Sequence, residues 1–182
     1  MTKALVLVAN GSEEMEAVIT IDVLRRASWQ VTVAAVNSDL TLTCSRGVRI
    51  QADAHLHAID ADTYDIIILP GGKAGAEQFA ADEDVQALLK TFDQAGKTIA
   101  AICAAPLALH AADLLRHRQY TCYPGIESDI TTGKHCNQRL VQDENIVTSQ
   151  GPGTAFEFAL ALVAKFQDQQ AADTLHQQMV LS

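Results

Sequence analysis

Four nearly uninterrupted apolar runs of strand length constrain the fold of this chain more than any other feature: residues 4–9 (ALVLVA), 31–36 (VTVAAV), 66–69 (IIIL) and 98–102 (TIAAI). Runs without polar alternation suit strands buried on both faces. Between them, residues 14–27 place Met15, Val18, Ile19 and Val23 near helical spacing, and residues 84–95 do the same with Val85, Leu88, Leu89 and Phe92. Strand alternating with helix predicts an α/β sandwich, a mostly parallel central sheet with helices on both faces. At 182 residues and 48% hydrophobic composition the chain can close one core, so one domain over residues 1–182 is expected.

Two shorter patterns interrupt the alternation. Thr41-Leu42-Thr43 and Val48-Arg49-Ile50 flank Ser45-Arg46-Gly47 and predict a small antiparallel excursion at the sheet edge. Residues 139–142 and 145–149 flank Asp143-Glu144 as a second hairpin; GPGTAFEFALALVAKF then opens an apolar helix with Pro152 near its first turn, and an amphipathic helix follows from Asp168.

Composition excludes several classes. A net charge of -9 with 13 scattered basic residues opposes a nucleic-acid groove, and Arg25-Arg26 and Arg116-His117-Arg118 read as exposed helix ends. No apolar stretch approaches the roughly 18 to 20 residues that cross a bilayer, and the start lacks the features of a signal peptide, so a cytoplasmic protein without membrane contact is expected. Cys44, Cys103, Cys122 and Cys136 form no Cys-x-x-Cys pair, which argues against a dithiol redox site or a zinc site. His55 and His57, read as sharing a strand face, lack a third ligand nearby and stay exposed loop residues in this reading, so no metal is expected.

Cys103 follows the strand 98–102 directly and precedes Ala104-Ala105-Pro106, where a strand turns sharply into a helix. Small neighbours at such a turn leave the side chain projecting from the sheet, as a nucleophile elbow requires. Free N–H groups and the helix dipole are expected to lower the thiol pKa below its ordinary value of about 8.5. The first strand also ends in a turn, Asn10-Gly11-Ser12-Glu13-Glu14-Met15-Glu16, and parallel topology brings both turns to one sheet edge. Glu13 and Glu14 read as exposed first-turn acids, whereas Glu16 lies further inside and is the candidate acid or base. Gly71-Gly72, after the strand 66–69, lets the backbone approach a ligand and direct N–H groups at a negative oxygen. His110, seven residues beyond Cys103, lies about 10 Å away along a helix, too far for a direct partner. Cys44, Cys122 and Cys136 read as small fillers, with Cys44 favoured as a second oxidation site for its polar neighbours.

Taken in order, NGSEEMEAV, CSRGV, YDIIILPGG, AAICAAP and TSQGPGTAFEFAL resemble the ThiJ/PfpI superfamily, in the branch of the parkinsonism-associated deglycase and bacterial YajL. The resemblance implies a flavodoxin-like homodimer with Cys103 as nucleophile and oxidation site, Glu16 as its protonated partner, and Gly72 and Ala104 as backbone oxyanion donors. It places Gly71, Arg46, Tyr123, Gly151 and Pro152 around the pocket, with Arg46 near the dimer seam and its role left open.

The implied activity is cofactor-independent removal of methylglyoxal, or of its early adducts on proteins and nucleotides, in carbonyl and oxidative stress. Thiolate attack, an oxyanion held by backbone N–H groups and proton transfer by Glu16 make that chemistry coherent without a metal or redox cofactor. The alternative is a redox-sensing chaperone that works through oxidation of Cys103. A cysteine peptidase is disfavoured because Ala104 stands where proteolytic members carry His. A nucleotide binder is disfavoured because Asn10 to Glu14 forms no glycine-rich phosphate loop and would repel phosphate. Tyr123 stands where the eukaryotic branch has a His, so a proton-transfer role for that His does not carry over.

Overall fold

The structure is a computed structural model and describes residues 1–181. Seven strands form the central sheet: β1 (Lys3–Val8), β2 (Gln30–Ala35), β5 (Ala54–His55), β6 (Ile66–Leu69), β7 (Thr98–Ile102), β10 (Leu140–Asp143) and β11 (Ile146–Ser149). Their order is β10-β11-β7-β6-β1-β2-β5, and every pairing is parallel except β10 with β11. The four apolar runs thus include the three central strands β7, β6 and β1, all fully or almost fully buried apart from Lys3.

Helix α5 (Ala155–Phe166) packs against both α1 (Glu14–Arg26) and α6 (Gln169–Gln178) in one layer; α2 (Lys73–Ala81), α3 (Glu83–Gln94) and α4 (Pro106–Ala111) form the other. Local chemistry marks their ends. Asp82 accepts from the Val85 N–H at 3.0 Å and Asp168 from the Ala171 N–H at 2.8 Å, each satisfying a first-turn donor. Pro106 opens α4, and Arg25 and Arg26 end α1 where the dipole favours cations.

The first excursion is a separate ribbon, β3 (Thr41–Thr43) against β4 (Arg49–Gln51). The Gly11 N–H donates to the Thr43 carbonyl at 2.8 Å, which holds the ribbon at the carboxyl end of β1. A second small ribbon, β8 (Gln119–Tyr120) with β9 (Lys134–His135), is parallel and has too few residues to show a period in the sequence. One expectation fails here: His55 ends β5, but His57 lies in a 3-10 turn, so the two share no strand face, although their rings stack at 5.3 Å. The fold places the ends of β1, β6, β7 and β11 side by side, the edge where loops of an open parallel sheet build a site.

Candidate active site

Cys103 has φ +65°, a left-handed conformation that a non-glycine residue adopts at a cost of about 1–3 kcal/mol. The conformation is held from both sides: the Cys103 N–H donates to the Ser149 carbonyl at 2.9 Å, and the Cys103 carbonyl accepts from the Tyr123 N–H at 2.8 Å. Ala101, Ala104 and Ala105 are all buried around the turn. The elbow therefore projects Cys103, 8% exposed, into a cavity of about 610 Å³.

Glu16 arrives from α1 and is fully buried. Its Oε2 accepts from the Gly71 N–H at 2.7 Å and its Oε1 has no hydrogen-bond partner, while the carboxyl as a whole interacts with the Cys103 thiol. Gly71 is required by space: a Cβ there would stand 2.5 Å from the Cys103 Cβ, 2.8 Å from Glu16 Oε2 and 2.9 Å from the Ala104 nitrogen. Gly72 has φ +81°, and a Cβ on it would strike the backbone of Gly11, Ser12 and Glu13. Its N–H and that of Ala104 favour negative charge on the Cys103 sulfur, so an anion on that side of the pocket meets two backbone donors.

Burial raises the Glu16 carboxyl to about 7 against the opposing pull of the Gly71 N–H. The expected lowering of the Cys103 pKa is not what this environment gives. Burial, and then the charge of ionised Glu16, push the thiol up to about 12, and the Gly72 and Ala104 N–H groups only partly offset them. Thiol and carboxyl titrate as one unit that keeps a single shared proton above pH 7. When that proton sits on Glu16, the repulsion is gone and the sulfur is a thiolate facing two N–H donors.

Glu14 corrects a second expectation. It is 6% exposed rather than solvated, and its carboxylate accepts from Ser45 Oγ at 2.9 Å and from the backbone N–H of Arg46 at 2.9 Å. Burial opposes its ionisation, but these bonds and one from its own N–H outweigh burial and hold its carboxyl below the ordinary range. Glu13 instead caps α1, accepting from the Glu16 N–H at 2.8 Å, and its side chain reaches the cavity lining. Cys44 is also unlike its sequence reading: it is buried, and burial together with the charges of Glu14 and Glu13 raises its thiol to about 11, which disfavours oxidation there.

Gly72, Ala104, Arg46, Tyr123 and Pro152 line the cavity with Cys103. Glu16 and Gly71 lie against the sulfur without lining it, and Gly151 backs Tyr123, where a Cβ would come 3.1 Å from the ring. Lys73, which also lines the cavity, was not singled out by sequence, although it follows Gly72 directly. No histidine lines the cavity; His110 turns to Thr132 Oγ1 at 2.9 Å.

The model of the DJ-1/PfpI family matches residues 2–165. Protein DJ-1 homolog B of Arabidopsis thaliana is 45% identical over 163 residues, 89% of this chain but 37% of that protein, so the chain spans little more than a third of that relative. Glutathione-independent glyoxalase DJR-1.2 of Caenorhabditis elegans is 35% identical over 180 residues, covering 98% of this chain and 95% of that protein. The crystal structure of Drosophila melanogaster DJ-1beta superposes with a TM-score of 0.96 at 36% identity, covering 100% of this chain and 98% of that one. With its elbow cysteine, its buried glutamate and this match over most of its length, the chain belongs to the DJ-1/PfpI family.

Proposed function

We propose that the protein is a cofactor-independent glyoxalase or deglycase that acts on methylglyoxal or its early adducts on proteins and nucleotides. The observation that carries this reading is the placement of Cys103 between a fully buried carboxyl, Glu16, and two backbone donors, Gly72 and Ala104, at the floor of an open cavity. The name of the Caenorhabditis elegans relative, a glutathione-independent glyoxalase, supports it.

In this mechanism Glu16 holds the thiol proton while the Cys103 thiolate adds to the aldehyde carbon. The carbonyl electron pair moves to oxygen, where the Gly72 and Ala104 N–H groups hold it. Glu16 protonates that oxygen, removes the hydrogen from the same carbon as a proton and returns it to the adjacent carbon, while the hydroxyl proton passes from the first oxygen to the neighbouring one, leaving a lactyl thioester. Water cleaves the thioester, releasing lactate and restoring the thiol. A carboxyl with a pKa of about 7 suits both directions of transfer near neutrality.

A second reading rests on the same pair. Cys103 oxidised to a sulfinate would be stabilised by hydrogen bonds from protonated Glu16 and the two N–H groups, giving a redox-sensing chaperone without turnover. A cytoplasmic homodimer fits either reading: Met15 and Val18 are half-exposed apolar side chains on one face of α1, and Val48 adds a third on the ribbon tied to that helix by Glu14.

Lactate production from methylglyoxal, in buffer free of amines and thiols, separates the readings. Sustained turnover by wild type, abolished in Cys103→Ser and reduced about 100-fold or more in Glu16→Gln, is the enzyme outcome. No turnover by fully reduced wild type overturns it and leaves oxidation of Cys103 as the function.

A further inference from the structure

Outside the Cys103 centre, three side chains with metal-binding atoms converge: Cys122, Glu127 and His135, whose ligand atoms all lie within 4.8 Å of one another. They come from three places. Cys122 follows β8, Glu127 sits in a 3-10 turn at Ile126–Asp129, and His135 ends β9. Backbone hydrogen bonds from Lys134 N–H to the Arg118 carbonyl and from Cys136 N–H to the Tyr120 carbonyl, both 2.8 Å, pin His135 alongside β8. Its ring stands 5.6 Å from that of Tyr120.

We propose that Cys122, Glu127 and His135 form a site for a zinc-class divalent cation. The donor set of one sulfur, one imidazole nitrogen and one carboxylate oxygen suits zinc and disfavours calcium or magnesium, which take oxygen ligands. Thiolate and carboxylate together balance the charge of a divalent ion. Cys122 Sγ and Glu127 Oε2 are 3.9 Å apart, close to the separation of about 3.6 Å that tetrahedral geometry with ordinary zinc bond lengths sets between them. Two features limit rearrangement: Cys122 is 1% exposed, and Glu127 Oε2 is fixed by the Gly125 N–H at 2.7 Å. His135 is exposed, so water can reach an ion held here and supply a fourth ligand. Binding forms bonds from the ion to sulfur, nitrogen and oxygen and releases the Cys122 proton to buffer, with no change of oxidation state.

The site would bear on the neighbouring cavity. Tyr123, Pro124, Gly125 and Ile126 line that cavity and lie in the loop between Cys122 and Glu127. An ion joining the two ends of this loop fixes this wall of the cavity without touching Cys103.

The test uses the whole protein, stripped with chelator and kept reduced by a phosphine, with Co²⁺ as the optical probe and Zn²⁺ as competitor. Expected are one equivalent of Co²⁺ with a thiolate-to-cobalt charge-transfer band, retained in Cys103→Ser and lost in Cys122→Ser. Calorimetry in buffers of different ionisation enthalpy should show about one proton released per Zn²⁺. His135→Ala alters an exposed side chain, so it tests the site even where Cys122→Ser folds poorly; it should weaken Zn²⁺ binding at least about 100-fold. A wild type without the band, a band that survives Cys122→Ser, or an affinity unchanged in His135→Ala overturns the proposal.

Discussion

Glu14 and Glu16 lie two residues apart in the first turn of α1, are both buried, and have their pKa values driven in opposite directions. Glu14 turns to the ribbon formed by β3 and β4, where a hydroxyl and backbone N–H groups stabilise its anion. Glu16 turns to the sheet edge, where one N–H and a thiol do not offset burial. One helical turn thus supplies a structural carboxylate and a proton carrier.

Glu16 makes stability fall as pH rises. Its folded pKa of about 7 exceeds the ordinary 4.5, so between those values the folded state binds the extra proton and loses stability across the window. Glu16→Gln removes this slope. Urea unfolding from pH 4.5 to 8 should show the variant gaining about 3 kcal/mol relative to wild type; parallel profiles would show that Glu16 is not held neutral.

For Glu14 the sign reverses. Its folded pKa lies below 4.5, so its contribution is present above that value and is lost as pH falls through the folded pKa. At pH 7, Glu14→Gln should cost about 2 kcal/mol through the loss of charge-assisted bonds to Ser45 and Arg46. The difference from wild type should shrink in acid, as denaturant melts at pH 7 and pH 3 will reveal.

Gly71→Ala should damage stability and chemistry together. The new methyl would press on the Cys103 Cβ, the Ala104 nitrogen and Glu16 Oε2, the last a side-chain end but buried and held by the Gly71 N–H. A loss of about 1–3 kcal/mol is expected, together with a fall in kcat of about 100-fold, since small misplacements at the reacting atoms are amplified in rate. Thermal unfolding and lactate assays check the two parts, and unchanged turnover would place the reacting atoms elsewhere.

Cys103→Gly should equal Cys103→Ala in stability or exceed it by up to about 1 kcal/mol, the reverse of the usual order. At φ +65° alanine bears the left-handed penalty, which outweighs the extra unfolded-state entropy of glycine. Paired urea titrations decide this, and a clearly more stable alanine variant would mean that the elbow relaxes once sulfur is removed.

The strands of the core were legible because burial on both faces imposes a purely local pattern: residues 66–69 and 98–102 are strands at those bounds. The elbow at Cys103 was legible for the same reason, since small residues must flank a tight turn wherever it occurs. Parallel topology also sufficed to bring Glu16 and Gly71 toward Cys103, because successive strand ends share one sheet edge.

Tertiary structure alone decided what surrounds each charged or sulfur-bearing atom. Glu14 and Glu16 are the same residue type on the same helix, and only the ribbon packed on one and the sheet edge beside the other set the opposite shifts of their pKa values. The thiols of Cys103 and Cys44 are raised by buried surroundings and by carboxylates that approach in space. Cys122, Glu127 and His135 are brought together by a 3-10 turn and a two-residue parallel ribbon, elements too short to leave a period in the sequence. Hydrophobic pattern is a property of neighbours along the chain and fixes the scaffold, whereas solvation and electrostatics depend on neighbours in space and fix the chemistry.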